Sequence, residues 1–217
     1  MKKVSISILL VILVSCTKFG KTDTAKGRVL NPVTGEGISG VELKLLKSTA
    51  GLPGGNKAVK TATTDGDGFY EISKAGLKGY SLSCNLPADY YPLGWFIDGE
   101  LKNTNTGNVG LKKGKTLHAD FYAVPYAHLQ LDIHNVSCQG ATDHFKLYAE
   151  GTQADMGKYG LMIDETGCYQ FTTSGHSKVP MGARYYRWEV TKNVITTIFY
   201  DTVYLAEGEY KTYTINY

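Results

Sequence analysis

The sequence predicts an all-β chain: two tandem antiparallel β-sandwiches behind a short apolar leader. Three observations carry this. Apolar and polar residues alternate with a period of two through most of the chain, the pattern of strands with one buried face. No window longer than about ten residues carries a helical stripe. Gly and Tyr are abundant, 25 and 16 of 217 residues, which favours tight turns and strands. The charge balance, 23 basic against 20 acidic residues, offers no polybasic surface and so no nucleic-acid partner.

The leader comes first. Lys2 and Lys3 precede an apolar run over residues 4–14. A spanning helix needs about 20 apolar residues, so this run reads as the core of a signal peptide. It ends in Leu13-Val14-Ser15-Cys16. That ending resembles the lipobox of bacterial lipoproteins. The resemblance implies a signal peptide over residues 1–15, cleavage before Cys16 and acylation of Cys16. It implies a partner, the membrane, and an address, the bacterial cell envelope, with the outer membrane as the expected site and either its periplasmic or its surface face. One acyl chain holds a protein only marginally, whereas two or three hold it firmly. The alternative is an ordinary secretory signal with a Cys at its end by chance. Residues 16–24 are polar and read as a tether.

The body of the chain divides in two. Residues 25–124 hold about seven strand candidates, at 25–31, 41–47, 57–64, 68–73, 79–86, 93–97 and 116–123. In the second of these Val41, Leu43 and Leu45 share one face while Glu42 and Lys44 share the other. Residues 125–217 hold about six more, at 127–135, 143–149, 167–173, 183–192, 195–205 and 209–216. Turn signals separate the runs, among them Asn31-Pro32, Asp65-Gly66-Asp67-Gly68 and Glu207-Gly208. The join at Ala123-Val124-Pro125-Tyr126 is short, which predicts touching domains with limited flexing.

The first half carries Gly27-Arg28-Val29, then residues 33–43 (VTGEGISGVEL), then Thr63-Thr64-Asp65-Gly66-Asp67-Gly68-Phe69-Tyr70. These segments resemble the carboxypeptidase regulatory-like, or transthyretin-like, β-sandwich, and residues 113–121 resemble its last strand. The resemblance implies a fold and no activity, since such domains serve as add-on modules. The second half matches no pattern of that kind. Its strand count suggests another sandwich, transthyretin-like or immunoglobulin-like.

Catalytic chemistry finds little support. No Gly-x-Ser-x-Gly, His-x-His, Cys-x-x-Cys or Glu-x-x-His spacing occurs. His128 and His134 share a strand face but stand about 20 Å apart, too far to share a metal. Asp65-Gly66-Asp67-Gly68 begins like a calcium loop but lacks the later oxygen ligands, so a hairpin turn is the simpler reading. No catalytic residue, metal site or cofactor is expected. Cys84 falls on the apolar side of its strand and reads as a buried thiol. Cys138 and Cys168 are candidates for a disulfide in an oxidising envelope.

One stretch suggests a binding surface. Residues 86–115 form the longest irregular segment of the first half and carry Tyr90, Tyr91, Trp95 and Phe96, with Trp95 the expected anchor. Buried, the same cluster is the edge of the core. The function expected is that of a non-catalytic, lipid-anchored interaction or accessory module that binds protein or glycan. The alternative is a saccharide-binding component of a glycan-uptake system.

Overall fold

A computed structural model describes residues 21–49, 55–76, 79–104, 107–150 and 159–217. Residues 1–20, on which the expected signal peptide, Cys16 and the first part of the expected tether fall, lie outside the described residues. Every element within them is a strand.

Ten of the described elements build the first sandwich: β1 (Thr22–Leu30), β2 (Glu42–Thr49), β3 (Gly55–Thr63), β4 (Phe69–Ala75), β5 (Ser81–Asn85), β6 (Tyr90–Ile97), β7 (Glu100–Thr104), β8 (Val109–Gly110), β9 (Thr116–His118) and the long β10 (Asp120–His134); β11 (His144–Glu150) opens the second. One layer runs β4-β1-β10-β6-β7, with β9 on β1; the facing layer runs β3-β2-β5-β8. The alternation explains the packing. Val41, Leu43 and Leu45 are buried, while on the opposite face Lys44 and Glu42 form an ion pair at 2.7 Å. Tyr80, Leu82 and Cys84 meet them from β5 and the residue before it. Tyr70 enters the same core and its hydroxyl donates to the Ala119 carbonyl at 2.6 Å.

The remaining strands are β12 (Tyr159–Thr166), β13 (Gln170–Thr172), β14 (Ser177–Pro180), β15 (Gly182–Lys192), β16 (Ile195–Leu205) and β17 (Tyr210–Asn216). One layer of the second sandwich runs β12-β11-β15-β16. The other is the second half of β10 with β13 and β14 antiparallel to it and β17 parallel. Ala127, Leu129, Leu131 and Ile133 from β10 meet Phe145, Leu147, Tyr186 and Val190 from the facing layer.

The short join at residues 123–126 lies inside a strand. β10 runs unbroken from Asp120 to His134 and serves both sandwiches. Its first half pairs with β6 as far as Pro125, opposite Tyr90; from Tyr126 it pairs with β14. Pro125 has no N–H to give a ladder, so it fits the point where one partner strand hands over to the next. Phe121 and Ala123 belong to the first core, Val124 and Ala127 to the second. A shared strand couples the two bodies where a loop would have let them hinge.

The stretch 86–115 also departs from expectation. It contains β6, β7 and β8, with β6 and β7 forming a hairpin in which Ile97 pairs with Glu100. The turn is Asp98-Gly99, at φ of 55° and 79°. Two positive φ values in succession are what a type I′ hairpin turn requires, and Asp-Gly is its common sequence. The candidate calcium segment is likewise a turn. The Asp65 carboxylate accepts the backbone N–H groups of Asp67 and Phe69 at 3.0 and 2.8 Å. Gly68 closes it at φ 79°, where an added Cβ would stand 2.3 Å from the Val29 carbonyl oxygen.

Candidate functional site

The aromatic stretch around Trp95 is part of the first core. Trp95 pairs with Phe121 across the β6–β10 ladder and is 0% exposed. Its ring meets Phe121 edge-on at 4.9 Å, and its Nε1–H donates to the Gly107 carbonyl at 2.8 Å. A ring sealed in this way cannot touch a ligand, which corrects the expectation of Trp95 as a binding anchor. Phe96, partly buried, stacks on Tyr122 at 4.0 Å. Tyr91 packs edge-on to Tyr126 and against the second core. Among the four, Tyr90 faces an open space: with Ser83, Asn85, Pro92 and Tyr126 it lines a groove of about 510 Å³ where the two sandwiches meet. Partial burial, with the nearby Glu207, Asp89 and Glu36 carboxylates, raises the Tyr90 phenol above its ordinary pKa. Lys178 closes one side of this region, donating to the Ala88 carbonyl at 3.1 Å and lying 3.9 Å over the Tyr126 ring.

The cysteines fall into two roles. Cys84 is free and buried, and desolvation pushes its thiol up to about 12. Cys138 and Cys168 are joined, with Cα atoms 5.3 Å apart across 30 residues of sequence. The loop around Cys138 is fixed from beneath by Asp143, which is 0% exposed. One carboxylate oxygen of Asp143 accepts the Gln139 backbone N–H and the Asn135 side-chain amide, each at 3.0 Å. These bonds, and more weakly the charge of Lys192, hold the Asp143 carboxyl below the ordinary carboxylate range despite its burial. Lys192 in turn donates to the Asn135 side-chain oxygen at 3.1 Å and to the Ser137 hydroxyl at 2.7 Å.

The histidines are dispersed. His128 stacks on Tyr210 at 4.1 Å and His176 meets the same ring edge-on at 5.4 Å. His134 pairs with Asp132 at 2.9 Å, and His144 pairs with Asp164. Among the described residues no three His, Cys, Asp or Glu side chains gather as a metal site would require.

Exposed apolar side chains gather on the second sandwich, along β16. Residues 195–202 are all exposed, though the strand pairs without a slip along its whole length with β15. Val203 and Leu205 point into the core, so the alternate residues Ile198, Tyr200 and Tyr204 face outward. By register Tyr200 lies beside Arg187 of β15, then Tyr148 of β11, then Leu161 of β12, while Ile198 lies beside Glu189 and Tyr204 beside Ala183. Tyr200 is 67% exposed, Leu161 53% and Tyr204 50%. Arg187 lies 4.6 Å over the Tyr148 ring and pairs with Glu189. The result is a surface of rings and aliphatic groups around the Arg187–Glu189 pair, bordered on the same face by Lys146 and His144, which both pair with Asp164. Sequence reasoning identified the strand at 195–205 and passed over the surface. The available signal was that both parities of the run are apolar, Ile195 and Phe199 on one and Ile198 and Tyr200 on the other, which a half-buried strand does not need.

No family model matches the chain, and no curated protein matches it. Solved structures resemble it distantly. A minor pilin of Streptococcus agalactiae is 16% identical, with 91% of this chain and 95% of that one covered, at a TM-score of 0.34. A DUF3823 family protein from Parabacteroides merdae is 14% identical, with 86% and 100% covered, at 0.29. The Bacillus anthracis TIE protein is 16% identical at 0.31, and there the chain spans 33% of the other's length. A Bacteroides thetaiotaomicron leucine-rich repeat protein is spanned for 26% of its length. Likenesses this distant carry no argument about function; the all-β sandwich architecture stands on the strand pairing itself.

Proposed function

We propose that the protein is a non-catalytic interaction module, anchored in the bacterial outer membrane by acyl chains on Cys16 and binding a protein or glycan partner. The binding surface is the outer face of β11, β15 and β16, with Tyr200 and Tyr204 along its β16 side. The observation that supports this reading is the set of exposed apolar and aromatic side chains gathered on that one flat face, where isolated exposure would call for no explanation. The first sandwich is read as a carboxypeptidase regulatory-like domain on the segments at Gly27-Arg28-Val29 and Thr63-Thr64-Asp65. It serves as a stalk, since its own aromatic residue of greatest reach, Trp95, is spent inside its core.

A saccharide is the favoured ligand of the second reading, a component of a glycan-uptake system. Tyrosine faces flanked by hydrogen-bonding groups suit a sugar ring, and here the Arg187–Glu189 pair lies beside Tyr200 and Ile198 by register. Two experiments test these statements. Cys16→Ala is expected to release the protein from the membrane fraction or to leave its signal uncut; continued incorporation of labelled fatty acid would refute the anchor. For the surface, a glycan array and an envelope pull-down are compared for the unaltered protein and for Tyr200→Ala with Tyr204→Ala. Loss of a partner at unchanged melting temperature supports the surface. Retention of every partner by the double variant overturns it.

A further inference from the structure

β16 offers more than a face. It is the end strand of the β12-β11-β15-β16 layer, and among the described residues its second edge pairs with no strand. Natural sheets blunt such edges with Lys, Pro, a bulge or a short strand. β16 has eleven residues, no Lys and no Pro, and no bulge in its ladder with β15. Two of its positions are nevertheless protected. The Thr202 N–H is taken by the Asp201 carboxylate at 2.7 Å, and the Tyr204 carbonyl by Lys211 at 2.8 Å. The open part of the edge is therefore residues 195–201, where the exposed side chains are also most concentrated.

The hairpin geometry says which groups that open part presents. A two-residue turn, Asn193-Val194, joins the strands, so Lys192 and Ile195 are the hydrogen-bonded pair next to it. Alternation then directs the N–H and C=O of Thr196, Ile198 and Tyr200 away from β15. The capped groups of Thr202 and Tyr204 fall in this outward series, as that geometry requires.

We propose that this segment pairs antiparallel with the same segment of a second copy of the chain, about a two-fold axis at Ile198. In that register Ile198 lies opposite its counterpart and Thr196 opposite Tyr200. On the inner side Thr197 lies opposite Phe199, and Ile195 opposite Asp201. Asp201 is the only residue of the strand that carries a charge at neutral pH, and it meets an aliphatic side chain instead of its own copy. No like charges are opposed, and every outward N–H and C=O of the open segment meets a complementary group. The inner side gains as well. Val190, Ile195, Thr197, Phe199 and Tyr217, with the one charged side chain Lys192, line an open, largely apolar groove of about 300 Å³ beneath the free segment, and an added strand extends its wall. Three short pairs make a small interface, so the association is reversible and concentration-dependent. It is separate from ligand binding by the outer face, and its test does not require a ligand.

Cysteine cross-linking of the full chain in envelope fractions tests this. Ile198→Cys is expected to give a disulfide-linked or short-bismaleimide-linked dimer. Tyr200→Cys is expected to give none, because in this register the two copies of residue 200 stand about 13 Å apart. The unaltered protein, whose free Cys84 is buried, is the control. Ile198→Lys places two like charges at the axis and is expected to abolish self-association in sedimentation at unchanged melting temperature. A monomer at all concentrations with no link through Ile198→Cys overturns the proposal. So does a link from Ile198→Cys to a different envelope protein, which would assign the edge to that partner, and so does a dimer through Tyr200→Cys alone.

Discussion

Phe121 and Ile133 lie on one strand and on the same side of its alternation, both fully buried, yet they fill different cores. The strand that joins them is the structural basis of the molecule's coupling. Separating the two sandwiches would break β10 in the middle of its ladders, so opening either one disturbs the other.

Unfolding is therefore expected to be a single cooperative transition, and the chain provides its own reporters. Of its two tryptophans, Trp95 lies in the first core and Trp188 packs against the second. Trp188→Phe leaves fluorescence that reads the first sandwich, and Trp95→Phe leaves fluorescence that reads the second. Coincident denaturant midpoints, after allowing for the cost of each substitution, are expected. Midpoints that separate would show two independently stable domains. Trp95→Ala is expected to cost about 3–5 kcal/mol, the usual range for a large aromatic removed from a core.

Val194 is strained. It is a β-branched residue at φ 60° in the two-residue turn between β15 and β16, and it is 97% exposed. An L-residue in the left-handed region costs about 1–2 kcal/mol, and no packing offsets it at this position. Val194→Gly is expected to raise stability by about 1 kcal/mol in chemical denaturation, with Gly's greater freedom in the unfolded chain limiting the gain. An unchanged or lowered midpoint would show that the turn is not strained.

The Cys138–Cys168 bond closes a 30-residue loop. Chain-entropy arithmetic assigns such a loop about 3–4 kcal/mol. Cys138→Ser with Cys168→Ser is expected to lose that amount and to open the loop to proteolysis near residue 138. Peptide mapping of the unaltered protein without reductant is expected to find Cys84 as the free thiol, labelled only on unfolding, because burial keeps it protonated.

Acid sensitivity is expected to centre on the same loop. The Asp143 carboxyl is held low first by the Gln139 N–H and then by Asn135. A carboxyl whose folded pKa is depressed contributes stability that is complete above its unfolded value, about 3.9, and is lost as pH falls through the folded value. Hydrogen-exchange protection of residues 135–143 is expected to hold from neutral pH down to about pH 4 and to fall below it. Asp143→Asn is expected to weaken that pH dependence while lowering protection at neutral pH. A pH profile unaffected by the substitution would show that Asp143 contributes only packing.

The division between what was legible in the sequence and what was not follows from the range of the forces involved. Strand identity is local: the alternation of Val41, Leu43 and Leu45 with Glu42 and Lys44 depends on neighbours two residues away, and the structure places these residues as that pattern requires. Turns are local too, and Asp98-Gly99 carried a hairpin signal that would have revealed β6 and β7 within residues 86–115. The fate of Trp95 was not local. Its burial depends on Phe121 and the Gly107 carbonyl closing over it, and nothing within its own segment states whether an aromatic run is covered. Pairing order is likewise a tertiary matter: whether the Pro125 segment is a linker or the midpoint of one strand is decided by β6 and β14 arriving at β10 from distant parts of the chain. So too with β16, whose eleven residues read as a strand from sequence alone. That it ends a layer, leaving Ile198 and Tyr200 open to a partner, follows only from the order in which the sheet is assembled, because an edge is a property of the sheet and not of the strand.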